Sequence, residues 1–400
     1  MTNNKDKKVL NVPTLRFPEF NGEWEKCKLS KVCSFFSGGT PPSSNKEYYN
    51  GNIPFIRSGE LHNDETELFI TKEGLDNSAA KMVEVGDLLL ALYGATSGNI
   101  AISKIKGAIN QAILCIRTKQ NKKFVESVWN KHVARLLQTY LQGGQGNLSA
   151  DIVKNIPFYF TNIEEQNKLA RFISLLDQRI AAQNKIIEKY ESLIQAICET
   201  LIESEQHKVE LSFNDFGKPY SGLSGKSAED FGNGWPYITY MNVYQNQIID
   251  ITDVGLVKIN ETEQQSVVRY GDILFTLSSE TPDEVGMGAV YLGDAYPLYL
   301  NSFCFGVHIT DESKIFPPFL AYYISTKSFR KAVFPLAQGS TRFNLQKNDF
   351  MKKIFHFPTV KKQSEIYSVL KAYSDKLSVE KNIVNLLCEQ KSYLLRQLFI

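Results

Sequence analysis

Much that would decide a protein's class is scarce in this chain. Its 400 residues hold six cysteines, Cys27, Cys33, Cys115, Cys198, Cys304 and Cys388. No two stand at C-x-x-C spacing, which removes the common zinc and redox motifs. Six are also too few for a disulfide framework at this length. Charge of one sign is missing: 45 Lys and Arg face 43 Asp and Glu, a formal net charge of +2. That excludes a polycation holding nucleic acid by bulk charge, though not a local basic surface. The longest apolar run, around Leu88–Tyr93, falls far short of the ~20 residues that span a bilayer. Met1–Lys8 is polar and charged, unlike a secretory signal. A cytoplasmic protein with reduced thiols is expected.

What is present is an ordinary globular composition, 43% hydrophobic and 22% charged, which argues against wholesale disorder. At roughly 150 residues per domain, two or three domains are expected. The chain also repeats itself. Val85-Gly86-Asp87-Leu88-Leu89 is echoed by Tyr270-Gly271-Asp272-Ile273-Leu274, and Asn52-Ile53-Pro54-Phe55-Ile56 by Gly234-Trp235-Pro236-Tyr237-Ile238. Asn147-Leu148-Ser149 is echoed by Asn344-Leu345-Gln346. The order reads domain, helix, domain, helix: a polar segment 1–13, a domain 14–160, a helix 161–204, a second domain 207–358 and a helix 359–400.

The helices carry the clearest pattern. Leu169, Ile173, Leu176, Ile180, Gln183, Ile187, Tyr190, Ile194, Ile197 and Leu201 alternate steps of four and three, a heptad seam with one polar break. Ile366, Leu370, Tyr373, Leu377, Glu380, Val384, Leu387, Lys391, Leu394 and Leu398 repeat it, with the break in the same slot and a second at Lys391. Each helix would run about 60 Å at 1.5 Å per residue. A stripe that long needs a partner of similar length, and the chain supplies one, so an intramolecular coiled coil is expected. Residues 163–203 are net acidic and 360–400 net basic, which favours the pairing.

The remaining segments read as mixed β-rich domains, with short Val/Ile/Phe/Tyr runs broken by Gly, Pro, Asn and Ser. Val125–Leu141 and Phe319–Val333 read as helices, and the Gly/Ser-rich 206–234 as loop. The fold class is α+β: two mixed β-rich domains separated by two long antiparallel coiled-coil helices, related by a pseudo-two-fold internal repeat.

Chemistry finds little support. Gly225-Lys226-Ser227 ends like a phosphate loop, but Tyr220 stands where the first glycine belongs. Gly143-Gly144-Gln145-Gly146 lacks dinucleotide-fingerprint spacing. Phe36-Ser37-Gly38-Gly39 only loosely echoes a methyl-donor glycine loop, and there is no Asn-Pro-Pro-aromatic tetrad. The five histidines form no paired metal motif. Asp87 and Asp272, each after a glycine and before an apolar run, read as turn aspartates.

Several motifs remain. They are Pro13-Thr14-Leu15-Arg16-Phe17-Pro18; Gly38-Gly39-Thr40-Pro41 near Tyr48-Tyr49-x-Gly51-x-Ile53-Pro54; the Val-Gly-Asp-Leu-Leu element; the Gln338-Gly339-Ser340-Thr341-Arg342 loop; and a helix start at Glu165-Gln166. In this order, duplicated with a long helix after each copy, the chain resembles the DNA-specificity subunit of type I restriction–modification systems over nearly its whole length. Lys362-Gln363 departs from the Glu-Gln start, and Gln145-Gly146 from Ser-Thr-Arg. The resemblance implies a non-catalytic subunit whose two domains are target-recognition domains, each reading half of an asymmetric, bipartite double-stranded DNA site. It implies helices that set the gap and dock two methyltransferase subunits, with two motor–nuclease restriction subunits joining. It places S-adenosylmethionine, ATP and Mg on those partners and no cofactor or metal on this chain.

Direct readout favours Arg and Lys for guanine and Asn and Gln for adenine. The loop candidates are Lys46, Arg57, Ser58, Thr96, Ser97, Gln145 and Asn147 in the first domain. In the second they are Ser224, Lys226, Asn242, Ser279, Thr281, Thr341 and Arg342, with Arg342 foremost. Two other readings stay open: a nuclease or methyltransferase whose site is assembled only in three dimensions, and a coiled-coil adaptor that never touches DNA.

Overall fold

The structure is a computed structural model that describes residues 10–141 and 147–400. It divides into two compact units. One comprises the chain up to Asn184 together with Asn382–Ile400, the other Lys185–Lys381.

In the first unit a four-stranded antiparallel sheet runs in the order Cys33–Ser37, Ile113–Thr118, Leu88–Ala91, Ile100–Ile102. Its central strand is apolar throughout because both faces are covered. Leu88 and Leu90 pack with Trp24, Phe124 and Trp129, while Leu89 and Ala91 pack with Ile56, Val83 and Cys115. A second sheet orders Phe69–Ile70, Tyr49–Ile56, Gly107–Ile109 and Lys81–Val83, with the middle pair parallel. A ribbon of Glu25–Lys28 and Pro157–Phe160 leads into the central helix, Ile163–Glu203.

The second unit repeats this plan. Gly217–Ser221, Cys304–Ile309, Ile273–Thr276 and Gly288–Val290 form the matching sheet. Val254–Val257, Phe231–Ile238 and Tyr299–Leu300 form the next, again with one parallel pair. The ribbon Lys208–Leu211 with Phe355–Pro358 leads into the C-terminal helix, Val360–Leu398. Even a register shift recurs, between Tyr49 and Ile53 and between Phe231 and Trp235. The repeated Gly-Asp is a turn in both copies. Gly86 and Gly271 take φ of 86° and 85°, conformations that favour glycine. The Asp87 and Asp272 carboxylates accept from the backbone N–H of Glu84 and Arg269.

Two expectations need correction. Residues 206–234 are not loop: they hold Lys208–Leu211, Gly217–Ser221 and the start of Phe231–Ile238. The first two are short edge strands of four and five residues; Lys208-Val209-Glu210-Leu211 does alternate polar and apolar, but so short a run is outweighed by the surrounding glycines and serines. Phe319–Val333 is two helices, Pro317–Tyr323 and Lys327–Val333. The break falls at Thr326, whose hydroxyl caps the second helix by accepting from Phe329 N–H.

Each unit contains a stretch of both long helices. In the first, Leu169 and Ile173 share a core with Leu394 and Leu398. In the second, Ile194, Cys198 and Ile202 share one with Ile366, Leu370 and Leu377. The start of each helix therefore meets the end of the other, an antiparallel pair. Every seam position is buried or half-buried, including Leu176, Ile180, Ile187 and Val384. Lys391 breaks the seam because Asp177 meets it at 2.5 Å and Lys123 at 2.7 Å.

The helix starts share one fixed contact. Gln166 accepts from Asn121 N–H and donates to Thr161 C=O; Gln363 accepts from Phe316 N–H and donates to Pro358 C=O. Both are 0% exposed. The neighbouring position varies because its contacts differ. Glu165 takes a bidentate grip from Arg16 at 2.7 Å, whereas Lys362 meets only Glu365 on its own helix. Gln363→Ala strands the Phe316 N–H and the Pro358 carbonyl and is expected to cost about 1–3 kcal/mol. Lys362→Ala, at a surface pair, is expected to cost under about 1 kcal/mol. Denaturant unfolding compares them, and equal losses would contradict this account.

Candidate nucleic-acid interface

Loops between the sheets carry the candidate contacts. In the first unit Lys46 is exposed on a turn, Lys46–Tyr48, that the Asn45 side chain caps. Thr96 and Ser97 are half-buried after the strand Leu88–Ala91, and Ser97 donates to Leu92 C=O. Asn147 is exposed, and Gln145 lies outside the described residues. Arg57 and Ser58 lead into the turn Ser58–Glu60, beside a cavity of about 540 Å³ lined by Arg57, Glu60, Glu65 and Glu67 among others. The Arg57 guanidinium is already engaged, with Glu60 and Glu67 each at 2.7 Å.

Glu60 ties this loop together. Burial pushes its carboxyl up, but Arg57 through side chain and backbone, Thr66 and the Glu67 N–H outweigh that and hold it at about 2. The stability it contributes is fully present above its ordinary 4.5 and is lost as pH falls toward about 2. Arg57→Ala is expected to raise the Glu60 carboxyl toward 4.5 in a side-chain NMR titration. An unmoved midpoint would contradict the assignment.

In the second unit, two candidates are corrected. Asn242 is 0% exposed. It donates to the carbonyls of Asp250 at 2.7 Å and Asp253 at 2.5 Å and accepts from Asp250 N–H, so its amide is spent inside a turn. The Lys226 side chain is 4% exposed and paired with Glu263 at 2.5 Å. Burying that pair leaves no free ammonium for DNA. Ser224 is exposed but bonded through its backbone to Gln265.

The structure gathers the rest around one cleft. Ser278–Ser279 pairs with Phe343–Leu345, which pairs back on Ala337–Gln338. The resulting hairpin presents Thr341 and Arg342 at an exposed tip. Gly339, at φ 142°, allows the turn, since a Cβ there would sit 2.0 Å from the Arg342 carbonyl oxygen. Arg342 lies over the exposed Phe303 ring at 5.9 Å. A cavity of about 270 Å³ opens beside it, walled by Tyr240, Met241, Tyr244, Ser279, Glu284 and Phe303 among others. Glu284 is fixed by donors: Tyr244 OH at 2.6 Å, Thr281 at 2.9 Å and Ser279 at 3.1 Å. Those hydrogen bonds, the tyrosine's foremost, hold its carboxyl below the usual carboxylate range.

Sequence reasoning missed Tyr240, Tyr244, Phe303 and Glu284. Aromatic residues are abundant in this chain, and nothing local separates these from core. Two parallel tyrosine rings 6.0 Å apart, one turn apart after the Thr239 cap, form the cleft wall. That juxtaposition needs the fold.

Two matched β-rich units, loop clefts rich in Arg, Tyr and Glu, and a shared antiparallel helix pair define a duplicated recognition scaffold. Among the described residues no group of His, Cys, Asp or Glu could hold a metal ion, and no helix is long and apolar enough to cross a membrane. The family model for the type I restriction modification DNA specificity domain matches twice, over residues 21–192 and 221–388. The chain belongs to that family, whose members are the non-catalytic specificity subunits of type I restriction–modification systems, with two target-recognition domains. It is 21% identical to the type I restriction enzyme MjaVIII specificity subunit of Methanocaldococcus jannaschii, over 94% of this chain and 91% of that protein. Its fold matches the type I restriction-modification S subunit from M. genitalium with a TM-score of 0.54 at 17% identity, covering 97% and 99% of the two chains. A chain from a structural study of complex assembly and conformational transition of the type I R-M system matches with a TM-score of 0.58 at 16% identity, covering 93% and 96%.

Proposed function

We infer that this subunit reads an asymmetric, bipartite double-stranded DNA site, one half per target-recognition domain. The observation that carries the reading is the unlike loops on like frames. The sheet order repeats between the units, yet Arg57 is locked by two glutamates in one while an unpaired Arg342 faces a tyrosine-lined cleft in the other. Like frames with different loops suit different half-sites. The candidates are Lys46, Arg57, Ser58, Thr96, Ser97 and Asn147 on one side, with Gln145 outside the described residues, and Ser224, Ser279, Thr281, Thr341 and Arg342 on the other.

The helices dock two methyltransferase subunits, which bring S-adenosylmethionine, and two motor–nuclease subunits bring ATP and Mg. Supporting this, the helices expose large apolar side chains away from their seam: Leu175, Ile186 and Leu193 on one, Val379, Leu386 and Tyr393 on the other. Leu386 and Tyr393, seven residues apart in the first unit, give a partner helix an apolar contact. The net charge of +2 fits a chain that needs its partners to complete the phosphate clamp. The assembly works in the cytoplasm.

Domain exchange tests the reading. Replacing residues 207–358 with the matching segment of another specificity subunit is expected to change one half of the recognised site and leave the other half and the gap intact. A change in both halves would contradict it.

A further inference from the structure

We propose that Arg342 reads a guanine in the half-site of the second domain, with Glu284, which lines the same cleft, accepting from the paired cytosine. The proposal rests on the DNA-specificity reading above and asks what one cleft selects. Three observations carry it.

The first is availability. Arg342 makes no hydrogen bond or ion pair with any described residue; its guanidinium lies over Phe303 and its charge reaches the Tyr240 hydroxyl. Arg57 is paired twice, Arg117 is held by Asp87, and Arg330 is spent on three backbone carbonyls. Arg342 alone among these brings a free fork to the surface. The second is presentation. The hairpin fixes its backbone, and the Phe303 ring supports the planar guanidinium. A planar fork matches the adjacent O6 and N7 acceptors of guanine better than a point charge would.

The third observation decides between base and phosphate. The same cleft carries Glu280 and Glu284, and Glu284 is pinned and ionised by three donors. Two carboxylates repel a phosphate. They suit the major-groove edge of a G·C pair, where guanine offers acceptors and cytosine offers its N4 amino group. A free cation and a fixed anion in one cleft thus match one base pair and mismatch the backbone. Phe303 acts as a positioning residue.

The test uses the assembled complex with its methyltransferase subunit and maps methylated motifs for wild type, Arg342→Gln and Glu284→Gln. Arg342→Gln is expected to relax one guanine of one half-site, losing roughly 5- to 150-fold of discrimination there, with the other half-site kept. Glu284→Gln is expected to relax the same base pair. Duplex binding across a salt series supplies the second readout. An intact motif with uniformly weaker binding and a salt slope reduced by about one marks a phosphate contact and overturns the proposal, as does an unchanged profile. If Arg342→Gln abolishes methylation altogether, Arg342→Lys decides: a relaxed guanine supports the proposal and an intact motif overturns it. A wild-type complex that methylates without any motif would sink the specificity reading itself, an outcome distinct from all of these.

Discussion

Replacing Phe350 with alanine is expected to cost the second unit about 3–5 kcal/mol, the range for truncating a large buried aromatic. Phe350 is 0% exposed. It stacks on Phe213 with ring centroids 4.9 Å apart and meets the edge of Phe275 at 4.8 Å. Phe305, Phe329 and Phe355 lie within 5.9–6.3 Å of it. No neighbour can fill the void without leaving its own rotamer, because each is held by further rings. Denaturant unfolding of the full chain, followed by probes placed separately in the two units, is expected to show the loss in the second unit. A cost below about 1 kcal/mol would mean that the cluster collapses freely and is not the core.

Asp272→Ala is the second large effect expected. Its carboxylate accepts from Tyr220 OH at 2.8 Å, from His308 Nδ1 at 2.9 Å and from Arg269 N–H at 2.8 Å. Tyr220 is buried and stacks on His308 at 4.1 Å, so its hydroxyl has nowhere else to donate. Burial first, and the adjacent carboxylate second, push that phenol well above its ordinary value, so it remains the donor. Stranding it costs roughly 1–3 kcal/mol and the backbone N–H adds to that. The first unit has the same turn with another partner: Arg117 meets Asp87 at 2.6 Å, from the strand position that His308 occupies in the second. Asp87→Ala is expected to destabilise the first unit in the same way. Asp230→Ala, which removes the exposed acceptor of the Ser227 N–H, is expected to cost less than Asp272→Ala. Unfolding that ranks Asp230 above Asp272 would contradict the turn's structural role.

The repeat, the two long helices and their seam were legible because periodicity over many residues is a strong signal, and a duplicated one is stronger. Gly86-Asp87 and Gly271-Asp272 were legible as turns for a local reason, positive φ beside a short carboxylate. The edge strands Lys208–Leu211 and Gly217–Ser221 were not, because they are only four and five residues long and lie in a stretch rich in Gly and Ser. The helix break at Thr326 was hidden because the apolar pattern continues across it on both sides. At the recognition loops the limits differ. Asn242 and Lys226 have the right chemistry for DNA, and only the fold shows that Asp250, Asp253 and Glu263 have taken it up. Glu284 and Phe303 were invisible for the converse reason: their role comes from Arg342, which lies far along the chain and arrives through a hairpin.

The central claim, that this chain chooses where its partners act on DNA, is tested most directly by mapping N6-methyladenine across the genome of a host carrying the cognate methyltransferase subunit, with and without this chain. The account predicts methylation at a single gapped, two-part motif that disappears when the chain is removed. Methylation that is identical in both hosts, in a complex shown by co-purification to contain the chain, would contradict it.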